Sequence, residues 1–301
     1  MSFDLYFAGI QALELDEYLS SKNAYRLFSY ADKPKKRLQM FNDCQSKIFM
    51  DSGAFGVAHS GKQITLDEYI NFINETPRVT LFACLDVIPW PTLTQETAKI
   101  SAEQSWKNYC YMIERVKPEY KDKIVPVYHY GEDFKYLKQM LHGYEGYKSP
   151  YIAYGGRGGI HTKHLYSSLD KFFDIIKDTR PNVKTHAFGI TVLKLLESYP
   201  FTSADSTSYL QTAVNGGIFV ECLNRMIKIS EQTLKDPQNY EHKDSHIKDL
   251  ITQEINNYGY TVQELKESFR ARFRFNIDYF LRWQKSYTYV EKVKVRRKTL
   301  F

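Results

Sequence analysis

Short apolar runs alternate along the chain with longer stretches in which apolar residues recur every three or four positions. The runs are typical of buried strands and the longer stretches of amphipathic helices. The predicted strands are Phe3–Gly9, Lys47–Gly53, Val79–Val87, Lys123–Tyr130, Tyr151–Gly156, Lys184–Ile190 and Phe201–Asp205, with Gly217–Val220 as a possible eighth. The predicted helices are Leu66–Asn74, Glu96–Val116, Asp133–Leu141, Lys163–Asp178 and Thr191–Glu197.

The regular succession of strand and helix predicts a parallel sheet of the α/β class. Seven or eight such units favour a closed (β/α)8 TIM barrel over an open doubly wound sheet, which usually carries a Gly-x-Gly-x-x-Gly phosphate loop on its first turn. We expect the barrel to occupy residues 1–221 and a basic, helical extension to occupy residues 222–301. In that extension Phe269, Phe273, Phe280 and Trp283 recur near helical spacing and predict the buried face of a helix.

Charge is distributed unevenly between the two parts. The 301 residues carry a net charge of +6, but Lys266–Phe301 alone holds eleven Lys and Arg against three Asp and Glu, a balance of +8. A basic segment of this kind indicates a polyanionic partner, and the alternative is ordinary solvated charge on a terminal helix. No apolar run approaches the length of a membrane span, and the first residues lack a secretory pattern, so a cytoplasmic location is expected, in the host cytoplasm if the protein is viral.

Four widely spaced cysteines offer no zinc-ligand spacing, and we therefore expect no metal site. Candidate chemistry lies instead where the predicted strands end, because the active site of such a barrel is built at the carboxyl ends of its strands. Three acids, a histidine, aromatic residues and glycines are expected to meet there. The segments are Asp51-Ser52-Gly53-Ala54-Phe55, Leu85-Asp86-Val87-Ile88-Pro89, Val127-Tyr128-His129-Tyr130-Gly131, Tyr154-Gly155-Gly156-Arg157-Gly158-Gly159, Ala187-Phe188-Gly189-Ile190 and Ser203-Ala204-Asp205-Ser206-Thr207. For each acid alone, the alternative is a loop cap or an ion pair.

The order of these segments and the residues in them resemble the motifs of the tRNA-guanine transglycosylase family. That family has an Asp-Ser-Gly-Gly-aromatic loop, an Asp followed closely by Pro, a Gly-Gly loop, a segment ending in Gly-Val/Ile and a strand that delivers a catalytic Asp. The matching residues span about 47 to 210, and the last two motifs appear as His186-Ala187-Phe188-Gly189-Ile190 and Ala204-Asp205-Ser206.

The resemblance implies a base-exchanging glycosyltransferase with Asp205 as nucleophile and Asp51 as general acid/base. Asp86 would bind the guanine-like edge, assisted by Ser52 and by the amides of Gly155 and Gly156, with His129 and Gly189 completing the base site. Phe55 and Phe188 would stack on the two faces of the base.

Three departures from the family narrow the expectation. The Cys-x-Cys-x-x-Cys zinc element of tRNA-acting members is missing, His129 stands where the family usually has Gln, and Arg157 stands where it has an aliphatic residue. The chain therefore resembles most the DpdA-type branch of bacteria and phages, which inserts 7-deazaguanines into DNA. That branch implies 7-cyano-7-deazaguanine or a relative as co-substrate, no other cofactor, and DNA phosphates held by Arg157, Arg270, Arg272, Arg274, Arg296 and Arg297.

Three other functions stay open at this stage. The same chemistry on tRNA is the nearest alternative, since the missing zinc ligands count against it without excluding it. A barrel that binds nucleic acid without catalysis would use the acids only as loop caps. A glycoside hydrolase would use Asp51 and Asp205 on a sugar and release it without exchanging a base.

Overall fold

A parallel sheet forms the centre of the protein. The structure is a computed structural model and describes residues 3–9, 12–32, 38–41, 45–54, 56, 64–89, 92–156, 162–190 and 192–289. The strands of the main sheet are β1 (Asp4–Phe7), β2 (Tyr25–Ser29), β3 (Ile48–Asp51), β4 (Leu81–Ala83), β5 (Ile124–Val125), β6 (Val127–His129), β7 (Tyr151–Gly155), β8 (Lys184–Phe188) and β9 (Ser203–Ser206). The pairings between its strands are parallel.

The sheet closes into a barrel because its two end strands are one continuous segment. The strand order runs β5-β4-β3-β2-β1-β9-β8-β7-β6, and only Pro126 separates β5 from β6. β5 pairs with β4, while β6 pairs with β7, and the Pro126 carbonyl accepts the Ala153 N–H at 2.9 Å. Counting Ile124–His129 as one strand gives eight positions around the ring, so the predicted (β/α)8 barrel is confirmed.

Helices pack around the outside of the ring. They are α1 (Leu13–Ser21), α2 (Leu66–Glu75), α3 (Gln95–Arg115), α4 (Phe134–His142), α5 (Thr162–Thr179), α6 (Leu193–Leu196) and α7 (Ser208–Val214). The helices predicted from periodicity begin and end within about two residues of α2 to α5. Thr65 and Thr94 start α2 and α3 with capping boxes, which fix where those helices begin.

The second strand differs from the expectation. β2 was not predicted, and Gly217–Val220 was given as the possible eighth strand; instead Gly217–Val220 (β10) pairs antiparallel with Arg225–Lys228 (β11) outside the barrel. Arg26 interrupts the apolar run of β2, yet it is fully buried. Its Nε donates to Asp16 Oδ1 of α1 at 2.6 Å, and its Nη1 donates to the Leu27 carbonyl at 2.8 Å.

The C-terminal helices share an apolar cluster with the hairpin that follows the barrel. The hairpin β10–β11 packs in one apolar cluster with α8 (Ser245–Asn257), α9 (Val262–Glu267) and α10 (Phe269–Ser286). The expected boundary at 221/222 lies in the turn of this hairpin and stays a prediction. Phe273 and Phe280 of α10 are fully buried against the barrel, as predicted.

The interior of the ring is a separate apolar layer. Its members alternate along the strands, and include Tyr6, Leu27, Phe49, Val127 and Ala153. Alternate residues of a strand share a face, so the same register carries Asp51, His129, Gly155 and Asp205 to the carboxyl end of the barrel. None of the helices in the described ranges combines the length and the apolar character that a bilayer span needs.

Candidate active site

The mouth of the barrel gathers the predicted acids. Asp51 closes β3, Asp86 follows β4 by three residues, and Asp205 lies in β9. The charges of Asp86 and Asp205 both act on the Asp51 carboxyl, so the three groups face one space. The structure therefore brings the three acids together at the strand tips, where the sequence places them.

Asp51 occupies a tight turn that depends on glycine. Gly53 has φ +84°, and a Cβ there would lie 2.7 Å from Cβ of Ala31. The Gly53 N–H donates to Asp51 Oδ2 at 3.1 Å. Asp51 therefore caps its turn, which is the alternative role that the sequence analysis gave for each acid. Burial, followed by repulsion from Asp86 and Asp205, nevertheless raises the pKa of Asp51 to about 7. A carboxyl group in this state can exchange a proton near neutral pH.

Asp86 is held on both of its oxygens. The Ser52 hydroxyl donates to Oδ1 at 2.7 Å, and His129 Nε2 lies 2.8 Å from Oδ2. The other ring nitrogen of His129, Nδ1, lies 3.1 Å from Glu132 Oε1. Ser52, Asp86, His129 and Glu132 form one hydrogen-bonded chain, which we call the Asp86 side of the mouth.

His129 sits between two carboxylates and is almost completely buried. Burial alone would lower its pKa, but the hydrogen bonds that the ring donates to Asp86 and Glu132 outweigh that effect and raise the pKa to about 10. The imidazole is therefore a cation at neutral pH, and both ring N–H groups donate. Gly155 makes room for it, since a Cβ on Gly155 would lie 2.5 Å from His129 Cδ2.

Asp205 has a looser setting. The Gly189 N–H donates to Asp205 Oδ1 at 3.2 Å, and His186 Nε2 lies 3.6 Å from the same oxygen, too far for a hydrogen bond. His186 is fully buried, and burial lowers its pKa despite the opposing effect of Asp205. Its Nδ1 lies 2.7 Å from Ser203 Oγ, which lies 2.7 Å from the Tyr151 hydroxyl. Tyr151, His186, Ser203 and Asp205 are the Asp205 side of the mouth.

Within the described part of the chain, His186 Nε2 has no hydrogen-bond partner. A bare lone pair at this nitrogen would face a carboxylate oxygen. The favourable tautomer therefore carries its proton on Nε2 and accepts from the Ser203 hydroxyl at Nδ1. The buried Nε2–H then faces Asp205 Oδ1, and the 3.6 Å between the two atoms exceeds a hydrogen-bond distance by a few tenths of an ångström.

An aromatic floor lies below the acids. Phe188 is partly exposed, and its ring packs against His186 and Phe49 at centroid distances of 4.3 and 5.2 Å. This position suits the stacking role expected of Phe188. The Gly156 N–H was expected to assist base binding. In the structure it already donates to the Phe188 carbonyl at 2.9 Å. Gly189 adopts φ +67°, which turns its N–H toward Asp205.

The arginines expected to hold DNA fall into different environments. Arg272 is only 5% exposed and donates to the carbonyls of Ala213, Leu265 and Lys266, so the structure leaves little of its guanidinium for the expected DNA contact. It closes the joint between α7, α9 and α10 instead. Arg270 is exposed and pairs with Glu14 at 2.6 Å, and Arg274 is exposed beside the ring of Tyr18. Phe55, Arg157, Arg296 and Arg297 lie outside the described residues.

Two functional candidates were missed by the sequence reasoning. Glu132 lies in a Gly131-Glu132-Asp133 segment that reads as a helix start, and Asp133 does cap α4. The role of Glu132 becomes visible only from its hydrogen bonds to His129, three residues earlier in the chain. His186 was part of a quoted motif without a role of its own. Among the described side chains, no three His, Cys, Asp or Glu are grouped so as to hold a metal ion.

The arrangement can perform acid–base and nucleophilic chemistry on a planar ligand. Asp51 titrates near neutral pH, Asp205 lies 3.6 Å from His186, and Asp86 is hydrogen-bonded to His129. Phe188 adds an aromatic face beside these three acids. No protein-family model matches the chain, and no characterised protein matches its sequence at a significant level.

Proposed function

We propose that this protein is a guanine transglycosylase that replaces guanine in DNA with a 7-deazaguanine base. The observation that carries the proposal is that three carboxyl groups at one barrel mouth lie in three different environments. The pKa of Asp51 is raised to about 7, Asp86 is fixed by Ser52 and His129, and Asp205 is left with one oxygen hydrogen-bonded to Gly189.

The reaction needs two displacements at the sugar carbon C1′. In the first, an Asp205 oxygen bonds to C1′ while the bond from C1′ to N9 of guanine breaks, and the base leaves with a proton supplied by Asp51. In the second, the incoming base gives its N9 proton to Asp51, its nitrogen bonds to C1′, and the ester to Asp205 breaks. The sugar keeps its configuration, and Asp51 and Asp205 return to their starting states.

The Asp86 side supports guanine-like bases as the ligand class. A carboxylate can accept from both the N1–H and the exocyclic amine of guanine, and adenine does not offer that pair of donors. His129, as a cation, donates to Asp86 Oδ2 and holds that carboxylate in place. Phe188 offers its exposed face for stacking, which contributes about 1–3 kcal/mol per base in single-strand binding proteins.

DNA is proposed as the polymer from the sequence resemblance and from the basic extension. Arg270 and Arg274 lie exposed on α10 and are the described residues of that set that remain for phosphate contact. Because a duplex hides C1′ and the base, we expect the target guanine to be flipped out or taken from single-stranded DNA.

The decisive experiment measures release of labelled guanine from DNA and, separately, from tRNA, with 7-cyano-7-deazaguanine added. The wild type is compared with Asp205→Asn, which keeps the shape but cannot form the ester. Asp249→Asn, an exposed acid on α8, is the matched control. We expect release from DNA that requires the deazaguanine, a loss of more than about 1,000-fold in Asp205→Asn, and no loss in the control.

Other results would redirect the proposal. Release only from tRNA would make tRNA the substrate. Release of guanine without incorporation of the deazaguanine would indicate a hydrolase. Full activity in Asp205→Asn, or DNA binding with no release in the wild type, would contradict the transglycosylase and favour a binding protein.

A further inference from the structure

Glu132 is a buried carboxylate that the proposed reaction does not itself require. It is 4% exposed and lies in the loop between β6 and α4. Oε1 lies 3.1 Å from His129 Nδ1, and Oε2 accepts the backbone N–H of His129 at 3.1 Å. The Glu132 carbonyl accepts the Tyr128 hydroxyl at 2.7 Å. Both carboxylate oxygens are thus spent on the same neighbour, His129.

The loop is shaped to bring Glu132 back onto His129. Gly131 has φ +93°, a conformation that side chains rarely adopt, and a Cβ there would lie 2.8 Å from Leu93. The Glu132 N–H donates to the His129 carbonyl at 3.2 Å, which closes the turn. The contact between Glu132 and His129 is therefore built into the backbone.

His129 has little freedom to choose another partner. The backbone of Gly155 in β7 lies against its ring, and both ring nitrogens face carboxylate oxygens at hydrogen-bond distance. The ionisable groups around it are Glu132 on its own loop, Asp86 beyond β4, Cys84 of the same β4 segment, and Asp51 beside Asp86. Burial raises the pKa of the Cys84 thiol, which stays neutral. Two carboxylates therefore share one cation.

We propose that Glu132 is a positioning residue that keeps His129 doubly protonated and thereby holds Asp86 in a fixed orientation, as the acceptor for the edge of a guanine-type base. This inference rests on the proposed function. Without the Glu132 charge, only Asp86 would stabilise the imidazolium, so His129 would lose its proton within the working pH range. A neutral ring carries a single proton, on either Nδ1 or Nε2, so His129 would no longer always donate to Asp86 Oδ2. Asp86 would then be held by Ser52 alone for part of the time, and its carboxylate would not stay aligned with both donors of the base.

The first test reads the protonation of His129 directly and is independent of any activity. The full chain is labelled in its histidine rings, the His129 signal is assigned by its loss in His129→Gln, and spectra are recorded from pH 6 to pH 9. We expect His129 to stay doubly protonated throughout this range in the wild type and to titrate within it in Glu132→Gln. Glu17→Gln, an exposed position on α1, is the control and should leave the signal unchanged.

The second test reads base binding. Dissociation constants for 7-cyano-7-deazaguanine and for hypoxanthine, which lacks the exocyclic amine, are measured at pH 6.5 and pH 8.5. The wild type should prefer the deazaguanine equally at both values. In Glu132→Gln the preference should fall tenfold to a hundredfold at pH 8.5 and by less at pH 6.5, where His129 is still protonated and still donates to Asp86.

The outcomes separate the two proposals. An unchanged His129 titration in Glu132→Gln, or an unchanged preference at pH 8.5, overturns the role of Glu132. If the wild type binds neither base, the guanine proposal fails, and the spectra still decide whether Glu132 holds the His129 proton. If Glu132→Gln does not fold, Glu132→Asp shortens the reach while keeping the charge. It should move both readouts in the same direction by less, and an unmoved His129 titration there also overturns the role.

Discussion

The mouth of this barrel has two sides that each place a buried histidine beside an aspartate, with opposite results. On the Asp86 side, His129 lies between Asp86 and Glu132 with both nitrogens bonded, and its pKa is raised to about 10. On the Asp205 side, His186 bonds a serine through Nδ1, faces Asp205 across 3.6 Å, and has a lowered pKa. One imidazole is a cation and the other is neutral.

The difference follows from the number of carboxylates that each ring can reach. Two hydrogen-bonded carboxylates overcome the desolvation of an imidazolium, whereas a single carboxylate beyond hydrogen-bond distance does not. The consequence for the proposed chemistry is a rigid half and an adjustable half. A recognition group gains from fixed geometry, whereas a nucleophile must approach a carbon and later leave it.

The largest effect that tests this comparison is on stability. His129→Leu leaves Asp86 and Glu132 buried without their shared cation, and we expect a loss of about 3–5 kcal/mol in the free energy of unfolding. His186→Leu loses one hydrogen bond to Ser203 and should cost about 1 kcal/mol. Urea unfolding at pH 7 measures both. Equal losses would contradict the view that only one of the two histidines is held by charge.

The next effect concerns the carboxyl group between the two sides. An Asp in an unfolded chain has a pKa of about 3.9, and the pKa of Asp51 in the folded protein is about 7. Between these values the unfolded chain releases the proton and the folded chain keeps it. The folded state therefore loses stability as the pH rises from about 4 to 7, and the loss is constant above 7.

Asp51→Asn removes this penalty while keeping an acceptor for the Gly53 N–H. We expect the variant to be more stable than the wild type by up to about 4 kcal/mol at pH 8, to match it at pH 4, and to lack base exchange. Thermal and urea unfolding across that pH range provide the measurement. A stability difference that does not change with pH would show that Asp51 is ionised throughout. In the wild type, exchange should decline above pH 7 as the acid form is lost.

The sequence predicts the acids of the mouth better than their settings. Asp51, Asp86 and Asp205 were found because parallel strands end on one side of a barrel, so position along a strand is enough. β2 was missed because Arg26 breaks its apolar run, and its buried charge is balanced by Asp16 on a separate helix. Glu132 was missed for a similar reason, since its partner is set by the turn at Gly131 and by the backbone of Gly155. Local hydrophobic periodicity predicts individual helices and strands, but it does not predict which side chains of different elements contact each other.

The smallest effect separates binding from rate by a matched pair of serines. Ser52 donates to Asp86 Oδ1 at 2.7 Å, and Ser203 lies 2.7 Å from His186 Nδ1, so each hydroxyl supports one side of the mouth. Ser52→Ala loosens the recognition group and should raise KM for 7-cyano-7-deazaguanine about tenfold, equivalent to about 1.4 kcal/mol, with little change in kcat.

Ser203→Ala acts on the other parameter. Without the Ser203 hydroxyl, Nδ1 no longer selects the tautomer that points its N–H at Asp205, so fewer molecules offer that donor when the carboxylate takes part in reaction. We expect kcat to fall severalfold while KM stays within about twofold, measured by steady-state exchange of the same base. If both variants altered KM alone, His186 would serve packing rather than the nucleophile, and the adjustable half of the mouth would reduce to Asp205 and the Gly189 amide.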